Sequence, residues 1–196
     1  MNKSAISKRQ LKAQRVKDLF IETTKNIIIE QGIKEVSARK VADEAGYTFA
    51  TIYNHFKNMD ELLFATRSKI IAELISVLQI TANNSKNVIY DVFRCYIDYL
   101  VNNTNIFELL FYVKLNKQHT NFEKNVDYAL LSEMFINSFK QLNYREELLD
   151  VCNTIFFSIH GMLMIYISGN FNMQKEELFL HLNKTLKLFK LEVNNA

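Results

Sequence analysis

An all-α fold is predicted by three features of the sequence. The 196 residues include no proline and only four glycines, too few chain breakers for a turn-rich β protein. Apolar residues make up 48% of the chain, and they recur at helical spacing rather than in alternation. Short polar clusters, Asn83-Asn84-Ser85, Asn102-Asn103-Thr104-Asn105 and Asn116-Lys117-Gln118, separate the periodic stretches. A chain of this length buries roughly 70% of its unfolded surface and needs no cross-links to build a core. Cys95 and Cys152, far apart and outside any CxxC pair, read as reduced core thiols, which fits a reducing cytoplasm.

The first helix is predicted from about Ser7 to Gln31, with Val16, Leu19, Phe20, Ile27 and Ile28 at helical spacing and a stop at Gly32. Next comes VSARKVADEAGYTFATIYNHFKNMDELL, Val36 to Leu63. Ser37 is placed to cap a helix and to offer a hydroxyl and free N–H groups to a phosphate. Val41, Ala42 and Ala45 make its apolar strip, and Gly46 stands where the chain must turn without a Cβ. Thr48 is expected to cap a second short helix through its hydroxyl, with Ile52 and Phe56 facing inward. Asn58 and Glu61, three apart, are expected to cap a long fourth helix reciprocally. Two short helices across a glycine turn, backed by a third, make a helix-turn-helix pattern.

On the second short helix, expected over Thr48–His55, steps of about 100° put Ile52, Tyr53 and Phe56 on one side and Ala50, Thr51 and Asn54 opposite. The second set suits base edges. Asn can pair bidentately with adenine, Thr offers a hydroxyl and a methyl, and Ala permits close approach. Phe49 fits either a core staple or a groove contact.

The run Ser37-x-Arg39-x-Val41-Ala42-x-x-Ala45-Gly46-Tyr47-Thr48-x-Ala50-Thr51-Ile52-Tyr53-x-His55-Phe56-Lys57-Asn58-x-x-Glu61-Leu62 resembles the DNA-binding signature of the tetracycline-repressor (TetR/AcrR) family. The resemblance implies a homodimeric regulator that binds a double-stranded DNA operator, usually represses, and responds to a small-molecule effector. It adds Arg39 and Tyr47 to the DNA-contacting residues, and implies phosphate contact for Tyr53, His55 and Lys57. Phe49 and Met59 occupy positions where such proteins commonly carry lysine.

Charge follows the same division. Residues 1–60 carry 11 Lys+Arg against 7 Asp+Glu, and residues 61–196 carry 13 against 14. Lys3, Lys8, Arg9, Lys12, Arg15 and Lys17 fall in the first 17 residues without one acid, a block able to lie along phosphates or to reach a groove as an arm. The division expected is therefore a DNA-binding domain over 1–60 and an effector-binding and dimerisation domain over 61–196. The amino terminus has no apolar run of the signal-peptide kind. Ile155 to Ile167 is broken by Ser158 and His160 and short for a bilayer, so a soluble cytoplasmic protein without membrane contact is expected.

The fourth helix is predicted from Asn58 to about Asn83-Asn84 along Leu62, Leu63, Thr66, Ile70, Leu74 and Val77. With no Gly/Ser/Pro linker beside it, it is a candidate lever. Further helices are predicted over about 87–103, 105–113, 121–142, 147–169 and 174–192. Residues 151–169 are apolar on nearly every side, so burial on two sides is expected. Phe157, Gly161, Met164 and Ser168, with Leu178, Leu182 and Thr185 on the last helix, form stripes suited to a four-helix dimer interface, as the resemblance also implies. A monomeric core is the other reading.

The second part holds 19 of the 24 aromatic side chains. Phe93, Tyr96, Phe107, Phe111, Phe135 and Phe156, with Asn137 and His160 as polar groups, are candidate lining for a hydrophobic or aromatic effector; simple packing is the alternative. No cofactor, metal site or catalytic set is expected. HExxH, GxSxG, GxxxxGK[ST] and GxGxxG are all missing, and the spacing of His119 and Glu123 is best explained by a solvated helix face.

Overall fold

The computed structural model describes residues 7–115, 133, 135 and 148–191. Among them every regular element is helical: α1 (Lys8–Gln31), a 3-10 turn (Ile33–Glu35), α2 (Ala38–Ala45), α3 (Phe49–Tyr53), α4 (Met59–Asn84), α5 (Val88–Asn102), α6 (Thr104–Phe111), α7 (Leu148–Ser168) and α8 (Lys175–Leu188). The helix expected over 121–142 lies outside the described residues, apart from Glu133 and Phe135, which are helical. Two compact units result, one within Met1–Ile70 and Asn105–Lys124, the other within Ile71–Thr104 and Asn125–Ala196. The backbone of α4 contributes to both.

In the first unit, Phe20, Ile21, Ile27, Val41, Ala42, Ile52, Phe56 and Leu62 form one buried core. The start of α1 is fixed by a capping box: the Ser7 hydroxyl accepts from the Gln10 N–H at 3.2 Å and the Gln10 side chain accepts from the Ser7 N–H at 2.8 Å. At its other end Gly32 takes φ 90°, and Asn105 of α6 donates to the Ile29 carbonyl at 3.1 Å, occupying one of the orphan acceptors of a helix terminus. Thr24 is fully buried without penalty, because its hydroxyl donates to the Phe20 carbonyl at 2.7 Å. Leu19, expected inside, is exposed.

Along α4 the buried positions are Leu62, Thr66, Ile70, Leu74, Leu78 and Ala82, a four-residue step, with Ile71 buried beside it. Val77, predicted on this stripe, is instead exposed and Leu78 takes its place, because a helix advances only about 40° per four residues.

In the second unit α5, α7 and α8 pack on one another. Their inward residues include Ile89, Val92, Phe93, Tyr96, Ile97 and Leu100 on α5, and Cys152, Ile155, Phe156, Ile159 and Leu163 on α7. Lys175 of α8 pairs with Asp98 of α5 at 2.7 Å, and Ser158 of α7 meets His181 Nε2 of α8 at 2.7 Å. The expected burial of α7 on two sides is not what the single chain shows. Phe157, Met164 and Ile165 are exposed, and Asp150–Ser168 is long and apolar enough to cross a membrane with less than a third of its apolar window buried.

Candidate functional site

The helix-turn-helix is held by its caps. The Ser37 hydroxyl accepts from the Lys40 N–H at 3.2 Å and starts α2. Gly46 ends it at φ 74° in the left-handed region, with its N–H on the Asp43 carbonyl at 3.2 Å and the Tyr47 N–H on the Ala42 carbonyl at 2.9 Å. This paired closure satisfies two terminal acceptors and turns the chain sharply into α3. Lys40 also bonds Gln31 and pairs with Glu35 at 3.4 Å, which ties α2 to the end of α1.

Two capping expectations are corrected. Thr48 precedes α3 with extended backbone, but its hydroxyl makes no bond to a helix N–H; it meets the Thr51 hydroxyl at 2.9 Å instead. A partner hydroxyl one turn on competes with the amide for the same oxygen. At α4 the Asn58 side chain accepts from the Glu61 N–H at 2.9 Å as expected, but the Glu61 carboxylate reaches the Lys57 N–H at 2.7 Å rather than that of Asn58. The reciprocal box is thus displaced by one residue.

With only five residues in α3, the wheel drawn over Thr48–His55 overstates its regularity. Ile52 and Phe56 are buried, whereas Tyr53, grouped with them by angle, is 48% exposed, and Phe49 is 56% exposed. Tyr47, Thr48, Ala50, Asn54 and Lys57 are also exposed, with Thr51 and His55 partly so. One continuous outward surface therefore carries aromatic, hydroxyl, amide and ammonium groups. Arg39 and Ser37 are exposed on α2. Behind this surface Phe20 meets Tyr47 edge-on at 5.4 Å and the His55 ring at 6.0 Å, and Lys17 Nζ lies 5.1 Å from the centre of the Phe56 ring. The middle of α1 is thereby fastened to the rim of the exposed surface.

The aromatic candidates of the second part separate into two groups. Phe93 stacks on Phe135 at 4.8 Å, Tyr96 meets Phe135 edge-on at 5.2 Å, and Phe156 lies 5.3 Å from Phe135 and stacks on His160 at 5.5 Å. The Tyr96 hydroxyl and His160 Nδ1 are 3.3 Å apart. Burial lowers the His160 pKa, so the ring is neutral and suited to accept the phenol proton. Phe107 and Phe111 contact one another at 4.8 Å in the other compact unit, and Asn137 lies outside the described residues.

Leu178, Leu182 and Thr185, expected at a dimer interface, are buried within this subunit, which removes them from an outer face. Phe157, Met164 and Ser168 are exposed and Gly161 half-buried. Ile165, Leu180 and Leu188 are exposed apolar side chains too, and the sequence reading did not single them out; Leu180 lies between the inward Leu178 and Leu182. Burial pushes the Cys152 thiol up to about 12, which keeps it protonated and inert. His119 and Glu123 lie outside the described residues.

A three-helix head with a buried apolar core and an exposed turn-plus-helix surface is a helix-turn-helix DNA-binding module on an all-α chain. Residues 20–66 match the family profile described as "Bacterial regulatory proteins, tetR family". The match covers the helix-turn-helix segment, about a quarter of the chain. No curated protein sequence matches it. Among solved structures it is similar to SmeT, the repressor of the Stenotrophomonas maltophilia multidrug efflux pump SmeDEF, at 15% identity over 94% of this chain and 96% of that one, with a TM-score of 0.66. A TetR transcriptional regulator from Rhodococcus sp. RHA1 gives 16% identity over 93% and 99%, with a TM-score of 0.63. Thermus thermophilus FadR, a transcriptional repressor in complex with lauroyl-CoA, gives 16% over 92% and 97%, with a TM-score of 0.64. At these identities the likeness is one of fold.

Proposed function

We propose that this chain is a tetR-family transcriptional regulator, acting in the cytoplasm as a homodimer that represses by occupying a near-palindromic operator and is released by a small hydrophobic or aromatic effector. The carrying observation is the outward surface of α3 and its flanks, where Phe49, Ala50, Tyr53, Asn54 and Lys57 are exposed over a buried Ile52 and Phe56. Thr51 and Asn54 read base edges, Ala50 permits close approach, and Arg39, Tyr53, His55 and Lys57 meet phosphate. Ser37, Tyr47 and Thr48 flank them, and Phe49 makes an apolar groove contact. Two such heads sit about one helical turn of DNA apart, or a small multiple of it.

Residues 1–60 serve DNA and residues 61–196 serve effector and dimer. The cluster of Phe93, Tyr96, Phe135, Phe156 and His160 is the site we assign to the effector, with Asn137, Phe107 and Phe111 as further candidates. Its neutral polar pair suits an uncharged or weakly polar ligand. The lauroyl-CoA held by FadR supports an effector with a lipophilic part. Phe157, Gly161, Met164 and Ser168 supply the dimer face, with Ile165, Leu180 and Leu188 added. The effector acts by differential affinity for the second-unit conformation that spoils operator spacing, and α4, continuous across the unit boundary, transmits the change.

Gel shifts with the DNA upstream of the protein's own gene test the reading. Thr51→Ala and Asn54→Ala are expected to relax sequence preference, and Lys57→Ala to weaken all sequences alike. With about eight phosphates neutralised by the dimer, log K falls against log salt with a slope near −7. Equal losses on operator and random DNA from all three substitutions would overturn the roles. The phenylalanine and methionine at positions 49 and 59, where lysine is common, favour one alternative: regulation through protein partners without autonomous DNA binding. Absence of any shift would select it.

A further inference from the structure

The first two turns of α1 do nothing for the core. Residues 8–15 are all exposed, the buried core begins at Phe20, and the family match also begins at residue 20. They are nevertheless built as helix, closed by the Ser7–Gln10 capping box. Lys8, Arg9, Lys12 and Arg15 lie here, and no acid precedes Asp18. Lys8 and Arg9, in the first turn at the positive end of the helix, oppose its dipole by some tenths of a kcal/mol each, and Lys12 and Arg15 follow with no acid among them. Local stability therefore does not explain them, and an ordinary solvated face would mix both signs.

Their place within the head indicates what they meet. One turn further on, Lys17 and Phe20 contact Phe56, Tyr47 and His55, so the basic turns start beside the rim of the outward α3 surface. From Phe20 back to Lys8 the helix extends about 18 Å, the axial length occupied by about five phosphates on one strand. A helix about 10 Å across does not enter a minor groove about 6 Å wide. The segment is thus suited to the outside of the duplex rather than to threading a groove as an arm.

We propose that Lys8, Arg9, Lys12 and Arg15 form a rigid helical strap that binds the DNA phosphate backbone beside the recognition contacts, adding affinity without sequence preference. The proposal rests on the DNA-binding reading above and names a second contact surface for it.

The test uses the full-length protein, a duplex holding the operator, and a random duplex of equal length. The combined variant K8Q/R9Q/K12Q/R15Q removes the charge, whereas Ala13→Pro breaks the helix and keeps the charge. If half of the four cations engage in each subunit, the dimer loses about four phosphate contacts and the log–log salt slope becomes shallower by roughly 3 to 4. The operator-to-random affinity ratio stays unchanged and the circular-dichroism melting temperature does not fall, because these side chains read no base, touch no core and oppose the helix dipole. Ala13→Pro is expected to make the slope shallower in the same way. An unchanged slope in the charge variant, with wild type still binding DNA, overturns the strap alone. A shallower slope in the charge variant but not in Ala13→Pro overturns the helical form, since a flexible arm would then suffice. Loss of binding to vesicles of anionic lipid with DNA binding intact assigns the cations to a membrane and also overturns it. Wild type that binds no DNA removes the underlying reading together with the strap.

Discussion

The same side chain behaves oppositely in the two units. In the head Phe49 is 56% exposed on the outward surface, whereas Phe93 and Phe135 of the second unit are sealed in a cluster of rings. The head is specified by capping bonds spanning three or four residues, with Phe20 and Phe56 in its core and Tyr47, Phe49 and Tyr53 on the surface. The second unit is specified by ring contacts between residues as distant as Phe93, Phe135 and Phe156. The bonds that shape the outward surface of the head are local, whereas the contacts that hold the second unit join residues far apart in sequence.

The sharpest way to break this contrast is to remove a ring. Phe93→Ala is expected to lower unfolding free energy by about 3–5 kcal/mol in urea titrations, because a buried ring leaves a cavity that close packing cannot refill. If the cluster admits an effector, lipophilic ligands fill that cavity and restore part of the loss. An effect under about 1 kcal/mol would mean that the rings do not hold the second unit.

Acid acts on the same cluster. Burial lowers the His160 pKa from its ordinary 6.5, and burial followed by the nearby Lys184 lowers that of His181. The unfolded chain therefore takes up protons more readily than the folded one. Stability is complete above the ordinary value and declines as pH falls below it toward the lowered folded values. Urea midpoints at about pH 7.5 and about pH 5.5 are expected to differ in wild type, and to differ less in His160→Asn. An equal difference in both would acquit His160.

How much was legible follows the same division. The Ser37 cap, the Gly46 turn and the Asn58–Glu61 contact are short-range, so residue type and spacing located them to within one position. Thr48 defeated that reasoning because its hydroxyl had two partners within reach, Thr51 and the helix amides. Tyr53 defeated it because a five-residue helix does not sustain a wheel. In the second part the aromatic faces were visible but their partners were not: nothing local shows that Phe107 and Phe111 belong to one unit and Phe93, Tyr96 and Phe156 to the other. The α8 stripe is apolar as expected, and its Leu178, Leu182 and Thr185 are buried within the subunit; periodicity does not distinguish burial by a neighbouring helix from burial by a partner.

Smaller effects sharpen the local side of the contrast. A Cβ on Gly46 would meet nothing within 4 Å, so Gly46→Ala isolates backbone conformation at φ 74° and is expected to destabilise by about 1–2 kcal/mol. Asn58→Ala removes the acceptor for the Glu61 N–H and is expected to cost about 1 kcal/mol. Both are read from urea curves. Neutrality of both would mean that tertiary packing alone sets the turn.

The smallest change in stability should accompany a large change in function. Phe49 is more than half exposed, so Phe49→Ala should shift the unfolding free energy by less than about 0.5 kcal/mol. Exposing a ring to water is unfavourable for the free protein, and DNA binding that covers the ring recovers that term. The substitution is therefore expected to weaken operator binding while the urea midpoint stays fixed. Phe49→Lys, which places a cation where related proteins commonly have one, should raise affinity for operator and random DNA alike and steepen the salt slope by about 0.9 for each phosphate gained. If Phe49→Ala destabilises by several kcal/mol instead, the ring belongs to the head's packing, and the opposition between an exposed reader and a sealed sensor fails at its clearest residue.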